Sequence, residues 1–246
     1  MSLISISDIL LKAKKDKYAV GAFNADNLEM VQAFLRAAEM VRAPIILQVS
    51  QGAINYSGLD SIANLVLFET TKATVPVAVH LDHGRDHTQN ILALKAGICS
   101  LGIDASALPY EKNLRVTKEI CDLAHTAGLE AEAGIGYVPD SKDKPTLEEI
   151  DTNKTDPNQA AEFVERTKVD ILAVALGSMR GMRERVIELD IDLLKRIDEK
   201  VNAPLVLHGA SGIKWNSVQQ AIQNGIYEVN IAASFDRCFT STIWEK

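Results

Sequence analysis

Long apolar runs are missing from this sequence. The longest, Ile171 to Leu176, is far short of the roughly 18 residues a membrane span needs. Cysteine is scarce, and Cys99, Cys121 and Cys238 are scattered and odd in number. That excludes a disulfide framework and fits free thiols in a reducing compartment, so a cytoplasmic location is expected. The N-terminal stretch has no basic region before its apolar residues and carries Asp8 early, unlike a signal peptide. No basic block stands out, and 26 basic against 33 acidic residues leave a net charge of -7. Partners of nucleic-acid or membrane-surface type are therefore not expected. No Gly/Ser-rich or Pro-rich linker divides the chain, and no dinucleotide-type Gly-x-Gly-x-x-Gly follows the first candidate strand. What remains is 246 residues that are 47% hydrophobic and 24% charged. That is enough to bury a large core in one domain, and it is a size at which α/β barrels occur.

Two local designs recur. In Ala43-Pro44, Val75-Pro76 and Ala203-Pro204, a proline opens a short apolar run that ends in a polar residue: Gln48, His80 or His208. Proline is tolerated at the first strand position, and an apolar run without alternation suits a parallel strand covered on both faces. In Ala96-Gly97-Ile98, Ala127-Gly128-Leu129 and Asn224-Gly225-Ile226, a helical pattern ends in Gly followed at once by an apolar residue. Helical stripes fit between the strands, with Val116, Ile120, Leu123, Ala124 and Ala127 in one and Trp215, Val218 and Ile222 in another. Asp156-Pro157 predicts an N-cap followed by Pro at the first helical position.

Strands are predicted to begin near Ala19, Pro44, Pro76, Cys99, Leu129, Val169, Pro204 and Ile226. Eight strands over 246 residues give units of about 31 residues, and a (βα)₈ barrel over residues 1–246 is the expected single domain. The polar segment from Gly136 to Thr155 follows a strand end and is expected to be a loop over the active face that is poorly ordered or changes conformation when ligand binds.

Chemistry in such a barrel gathers at the C-terminal strand ends. There the sequence places Asp82-His83-Gly84, Asp104-Ala105-Ser106, Glu132, Gly177-Ser178-Met179-Arg180-Gly181, His208-Gly209-Ala210-Ser211-Gly212 and Asn230 to Ser234. Any one of these reads equally well as a solvated strand end. Together, two imidazoles and a carboxylate suit a Zn²⁺-like ion, and Gly209, Ser211 and Gly212 suit an anion.

From Gly21-Ala22-Phe23-Asn24 through His80-Leu81-Asp82-His83-Gly84, Asp104, Glu132, Thr155-Asp156-Pro157 and Leu207-His208-Gly209 to Val229-Asn230, the chain resembles the class II, metal-dependent ketose-bisphosphate aldolases. These include the fructose- and tagatose-bisphosphate aldolases. The resemblance implies reversible aldol cleavage of a ketose 1,6-bisphosphate to dihydroxyacetone phosphate and glyceraldehyde 3-phosphate. It implies Asp82 as general acid/base, His83 and His208 as Zn²⁺ ligands, and Asp104 and Glu132 at a secondary metal site. It implies Asn24, Ser50, Gly181, Gly209, Ala210, Ser211, Asn230, Ile231, Ala232 and Ala233 as substrate and phosphate contacts. It also implies a homo-oligomer, a dimer or tetramer, and C-terminal helices beyond Lys246.

One departure matters most. The third metal-ligand position, a His in the family, is Arg180, and a guanidinium has no lone pair for a metal. Ala210 stands where the family usually has Gly, and Ala233 where it commonly has a hydroxyl. His87 and His125 are predicted to lie on helices away from the ion. Arg180 is expected to pair with Asp82 or Glu132. The alternatives are an aldolase impaired at its metal site, a non-catalytic phosphosugar-binding or partner-subunit protein, and a site where Arg180 binds a second phosphate or carboxylate.

Overall fold

The runs opened by Pro44, Pro76 and Pro204 become strands, as their composition requires. The computed structural model describes residues 3–182 and 184–245. The chain runs α1 (Ile6–Asp16), β1 (Val20–Asn24), α2 (Leu28–Val41), β2 (Ile45–Val49), α3 (Gln51–Ser57), α4 (Leu59–Thr70), β3 (Val77–Leu81) and α5 (His87–Lys95). It continues through β4 (Ser100–Ile103), α6 (Tyr110–Thr126), β5 (Glu130–Ile135), α7 (Leu147–Thr152), α8 (Pro157–Thr167) and β6 (Ile171–Val174). The last elements are α9 (Ile191–Asp198), β7 (Leu205–Leu207), α10 (Trp215–Gln223), β8 (Ile226–Ile231) and α11 (Ala233–Trp244). The eight strands pair in sequence order into a closed parallel barrel, with β1 joined to β8. All eight expected strands are present. Gly97 and Gly128 end their helices at φ of 87° and 71°, the left-handed caps the sequence predicts. Asp156 caps α8 through its side chain, with Pro157 at the first helical position.

Two details differ from the sequence reading. The buried face of α6 is Leu114, Thr117, Ile120, Cys121 and Ala124, while Ala127 is exposed. Trp215 opens α10 but lies largely in solvent, so the buried stripe there is Ser217, Val218 and Ala221. Thr117 and Ser217 are polar residues that take core positions, which a purely apolar periodicity misses.

The barrel interior has two zones. At its N-terminal end, α1 plugs the barrel with Ile6, Ile9, Leu10 and Ala13, packed with Ala22, Ile46, Ala78, Ile171 and Val206. Two residues further along the same inward register stand polar groups: Gln48 and His80 above Ile46 and Ala78, with Glu228 and Asn230 on β8. The strands thus change from apolar to polar as they approach their C-terminal ends.

The segment from Gly136 to Thr155 has elements of its own where the sequence reading saw only a loop. It carries a short 3₁₀ turn, Ser141–Asp143, and α7, whose Thr146 and Glu149 form a capping box. Backbone bonds shape it. Tyr137 N donates to Asn153 O, Arg180 N to Pro139 O and Ser141 N to Arg180 O. Thr155 fixes its end, donating its hydroxyl to Ile135 O at 2.6 Å and accepting from Ala175 N at 2.8 Å. Thr155→Val keeps the shape but strands two buried partners. It is expected to cost about 2 kcal/mol in denaturant unfolding, and a loss below about 0.5 kcal/mol would show that water replaces the hydroxyl there.

Candidate active site

The end of β3 brings the first two groups in. His83 has φ of 50°, a left-handed conformation uncommon for a non-glycine residue, and the chain turns sharply there. Gly84 must follow, because a Cβ at that position would overlap the Gly102 carbonyl of β4. The turn aims the His83 ring at His208, at the end of β7. His83 Nε2 and His208 Nδ1 are 3.0 Å apart, and the rings meet edge-to-face at 4.6 Å.

Carboxylates stand behind both rings. His83 Nδ1 is 2.7 Å from Asp104 Oδ2, and His208 Nε2 is 2.9 Å from Glu132 Oε1. The chain of contacts is satisfied when His83 Nδ1 donates to Asp104, His208 Nε2 donates to Glu132, and one proton is shared between His83 Nε2 and His208 Nδ1. The energetics agree. Burial opposes a charge on His83, but the carboxylates of Asp82 and Asp104 overcome it and push the imidazole up to about 9. Burial alone would raise Asp104. Its hydrogen bond to His83, the His83 charge, the Ser106 hydroxyl at 2.7 Å and Arg180 instead hold it well below the usual carboxylate range. Asp82 Oδ2 accepts from Asn24 Nδ2 at 3.3 Å, whereas the buried Asp82 Oδ1 has no hydrogen-bond partner among the described residues and lies 3.7 Å from His83 Nε2. Asn230 Nδ2 reaches His208 Nε2 at 3.4 Å. Asp82, His83, His208 and Asn230 therefore converge on one face.

Arg180 is not where the sequence reading put it. Its Nη1 pairs with Asp104 at 3.3 Å rather than with Asp82 or Glu132, and its guanidinium lies 5.9 Å over the Tyr137 ring. Asp104 thus carries three partners, His83, Ser106 and Arg180, while Glu132 is engaged by His208. His87 starts α5, and His125 pairs with Asp170 at 2.9 Å beside the N-terminal end of β6, so neither joins the site.

Beside the imidazoles lies an open cleft of about 680 Å³. Asn24, Asp82, His83, Gly181, His208, Gly209, Ser211, Asn230, Ala232 and Ala233 line it, together with Arg180 and Asp236. Ser211 Oγ accepts from Ser234 N at 3.1 Å, tying the turn after β7 to the start of α11. Asp104, Glu132 and Ser106 line a second chamber that shares His83, Arg180 and His208 with the first. Three of the named contacts stand differently. The Ser50 hydroxyl caps α3 by accepting from Ala53 N, and Ala210 and Ile231 are buried in the walls. Sequence reasoning missed Asp236. Burial and the facing Asp26 push its carboxyl up to about 7. Its position, just past the last strand and facing a residue just past the first, is a signal only once barrel closure is assumed.

The donor set fits a divalent ion. His83 Nε2, His208 Nδ1 and an Asp82 oxygen lie within 4.8 Å of one another. An ion would take the place of the single proton between the two imidazoles and leave both rear hydrogen bonds intact, the arrangement that orients metal-binding histidines. Two imidazoles and a carboxylate are a known zinc set.

Residues 4–246 match the family model described as "Fructose-bisphosphate aldolase class-II". A fructose-bisphosphate aldolase from Geobacillus stearothermophilus is 40% identical over all of this chain and 86% of its own length. A sulfofructosephosphate aldolase from Alkalicoccus urumqiensis is 38% identical over 98% of this chain and 84% of its own. Among solved structures, the YdjI aldolase from Escherichia coli K12 superposes with a TM-score of 0.89 at 36% identity. That match covers 99% of this chain and 86% of the other.

Proposed function

The chain belongs to the class II fructose-bisphosphate aldolase family, and on that premise we propose that it reversibly cleaves a ketose 1,6-bisphosphate, fructose or tagatose, to dihydroxyacetone phosphate and glyceraldehyde 3-phosphate. The observation that carries this reading is the meeting of Asp82, His83 and His208 at the mouth of a cleft floored by the Gly209–Ser211 turn.

In the proposed cleavage, the free Oδ1 of Asp82 takes the proton of the C4 hydroxyl as the C3–C4 bond breaks. The bonding electrons pass into an enediolate over C2 and C3, which then takes a proton at C3. Asn24 holds the other Asp82 oxygen, so the carboxylate keeps its aim. The 1-phosphate sits against Gly209, Ser211 and the turn from Asn230 to Ala233, where backbone N–H groups and the start of α11 favour an anion. That remote binding energy positions the reacting bond. A divalent ion held by His83 and His208 supplies positive charge beside the developing enediolate. Asp82 must stay free to exchange its proton, so only the two imidazoles are permanent ligands.

Arg180 on Asp104 favours a second reading, phosphosugar binding without turnover, because the imidazole that would complete the ion's ligand set is absent. A cleavage assay on fructose and tagatose 1,6-bisphosphates, with added Zn²⁺, separates the two. Turnover is expected to fall at least about 100-fold in Asp82→Asn with KM little changed. Wild-type protein that binds dihydroxyacetone phosphate but cleaves neither ketose would favour the second reading.

A further inference from the structure

Arg185 belongs to no part of the site described above and does not line the cleft, yet it is bonded to the turn that forms the cleft's floor. Its Nη1 donates to Ala210 O at 2.8 Å and to Ile213 O at 2.9 Å. Its guanidinium lies flat over the Trp215 ring at 3.8 Å, which explains why that tryptophan stays at the surface. Burial lowers its pKa, and among the described residues no carboxylate pairs with it, so a cation stands behind the turn.

The peptide bond converts this contact into an effect on the cleft. The peptide between Ala210 and Ser211 is trans and planar, so the Ser211 N–H points opposite to the Ala210 carbonyl. The Ala210 carbonyl accepts from Ile213 N at 3.2 Å as well as from Arg185, so it is held on that side, and the Ser211 amide faces the other way in a residue that lines the cleft. The rest of the turn is fastened from the same side. Val186 N and Ile187 N donate to Gly212 O, and Lys214 N donates to Ile187 O.

We propose that Arg185 is a positioning residue for phosphate recognition. It clamps the outer carbonyls of the 210–213 turn so that the turn presents its amide to the anion, and it adds an unneutralised charge behind it. The inference rests on the phosphosugar reading above and names a residue that reading does not use.

Calorimetry with dihydroxyacetone phosphate, and separately with inorganic phosphate, tests it on wild type, Arg185→Ala, Arg185→Lys and Trp215→Leu. Arg185→Ala is expected to bind both probes about tenfold more weakly. Arg185→Lys is expected to recover part of the loss, since an ammonium keeps the charge but not the planar stack. In Arg185→Ala turnover, KM should rise with kcat nearly unchanged, a split that general loosening of the fold would not give. Arg185→Ala that is folded and binds within twofold of wild type overturns the inference. If Arg185→Ala does not fold, Trp215→Leu decides, with about threefold weaker binding expected and unchanged affinity overturning the clamp. Wild-type protein that binds neither probe overturns the phosphosugar reading and the clamp together.

Discussion

Arg180→His is expected to raise Zn²⁺ affinity about 100-fold or more and to raise aldol cleavage with it. The wild-type ion would rest on two imidazoles, with Asp82 needed for proton transfer, where catalytic zinc sites ordinarily have three protein ligands. Arg180 adds a fixed positive charge that shares Asp104 with His83. Histidine at 180 removes that charge and offers a third imidazole, and each change favours the ion in a partly buried pocket. After dialysis against a weak chelator, the variant should retain close to one Zn²⁺ per chain by elemental analysis and the wild type little. A wild-type protein that retains one Zn²⁺ per chain and cleaves robustly would show that the imidazole pair and Asp82 suffice.

A second large effect is expected deeper in the barrel. Glu228 is fully buried, and both its carboxylate oxygens lack hydrogen-bond partners among the described residues. Burial, reinforced by the negative charges of Glu132 and Asp82, pushes its pKa well above the usual carboxylate range. The folded protein therefore keeps this proton at pH values where the unfolded chain has lost it. Stability falls as pH rises from the ordinary glutamate value to the raised one, and the loss is complete above it. Glu228→Gln keeps the shape and cannot ionise. It should match the wild type near pH 4 and exceed it by about 1–3 kcal/mol at pH 8.5. Urea melts at the two pH values check this, and parallel pH profiles for the two proteins would contradict it.

The barrel was legible in the sequence because two local rules were written into it repeatedly. Proline opened three strands, and glycine closed the helices before three others. The catalytic face followed, since Asp82, His83, His208 and Asn230 each sit where an apolar run gives way to a polar residue. Long-range pairing was not legible. Nothing local says that Arg180 will choose Asp104 over Asp82, because that depends on which strand ends are neighbours. Arg185 was invisible for the same reason, since its partners are main-chain carbonyls more than twenty residues away. The turn and helix after β5 were not legible because composition counts side chains, whereas backbone hydrogen bonds and Thr155 shape that segment.

The main chain at position 180 donates to Pro139 and accepts from Ser141, and neither bond involves its side chain. The barrel thus keeps this rung of its rim with any residue but proline there. A mutation can exchange the chemistry at the centre of the site without loosening the loops around it. Such a slot lets a lineage drift from one ligand set to another through folded intermediates, and it makes residue 180 a natural first target for redesigning what the pocket binds.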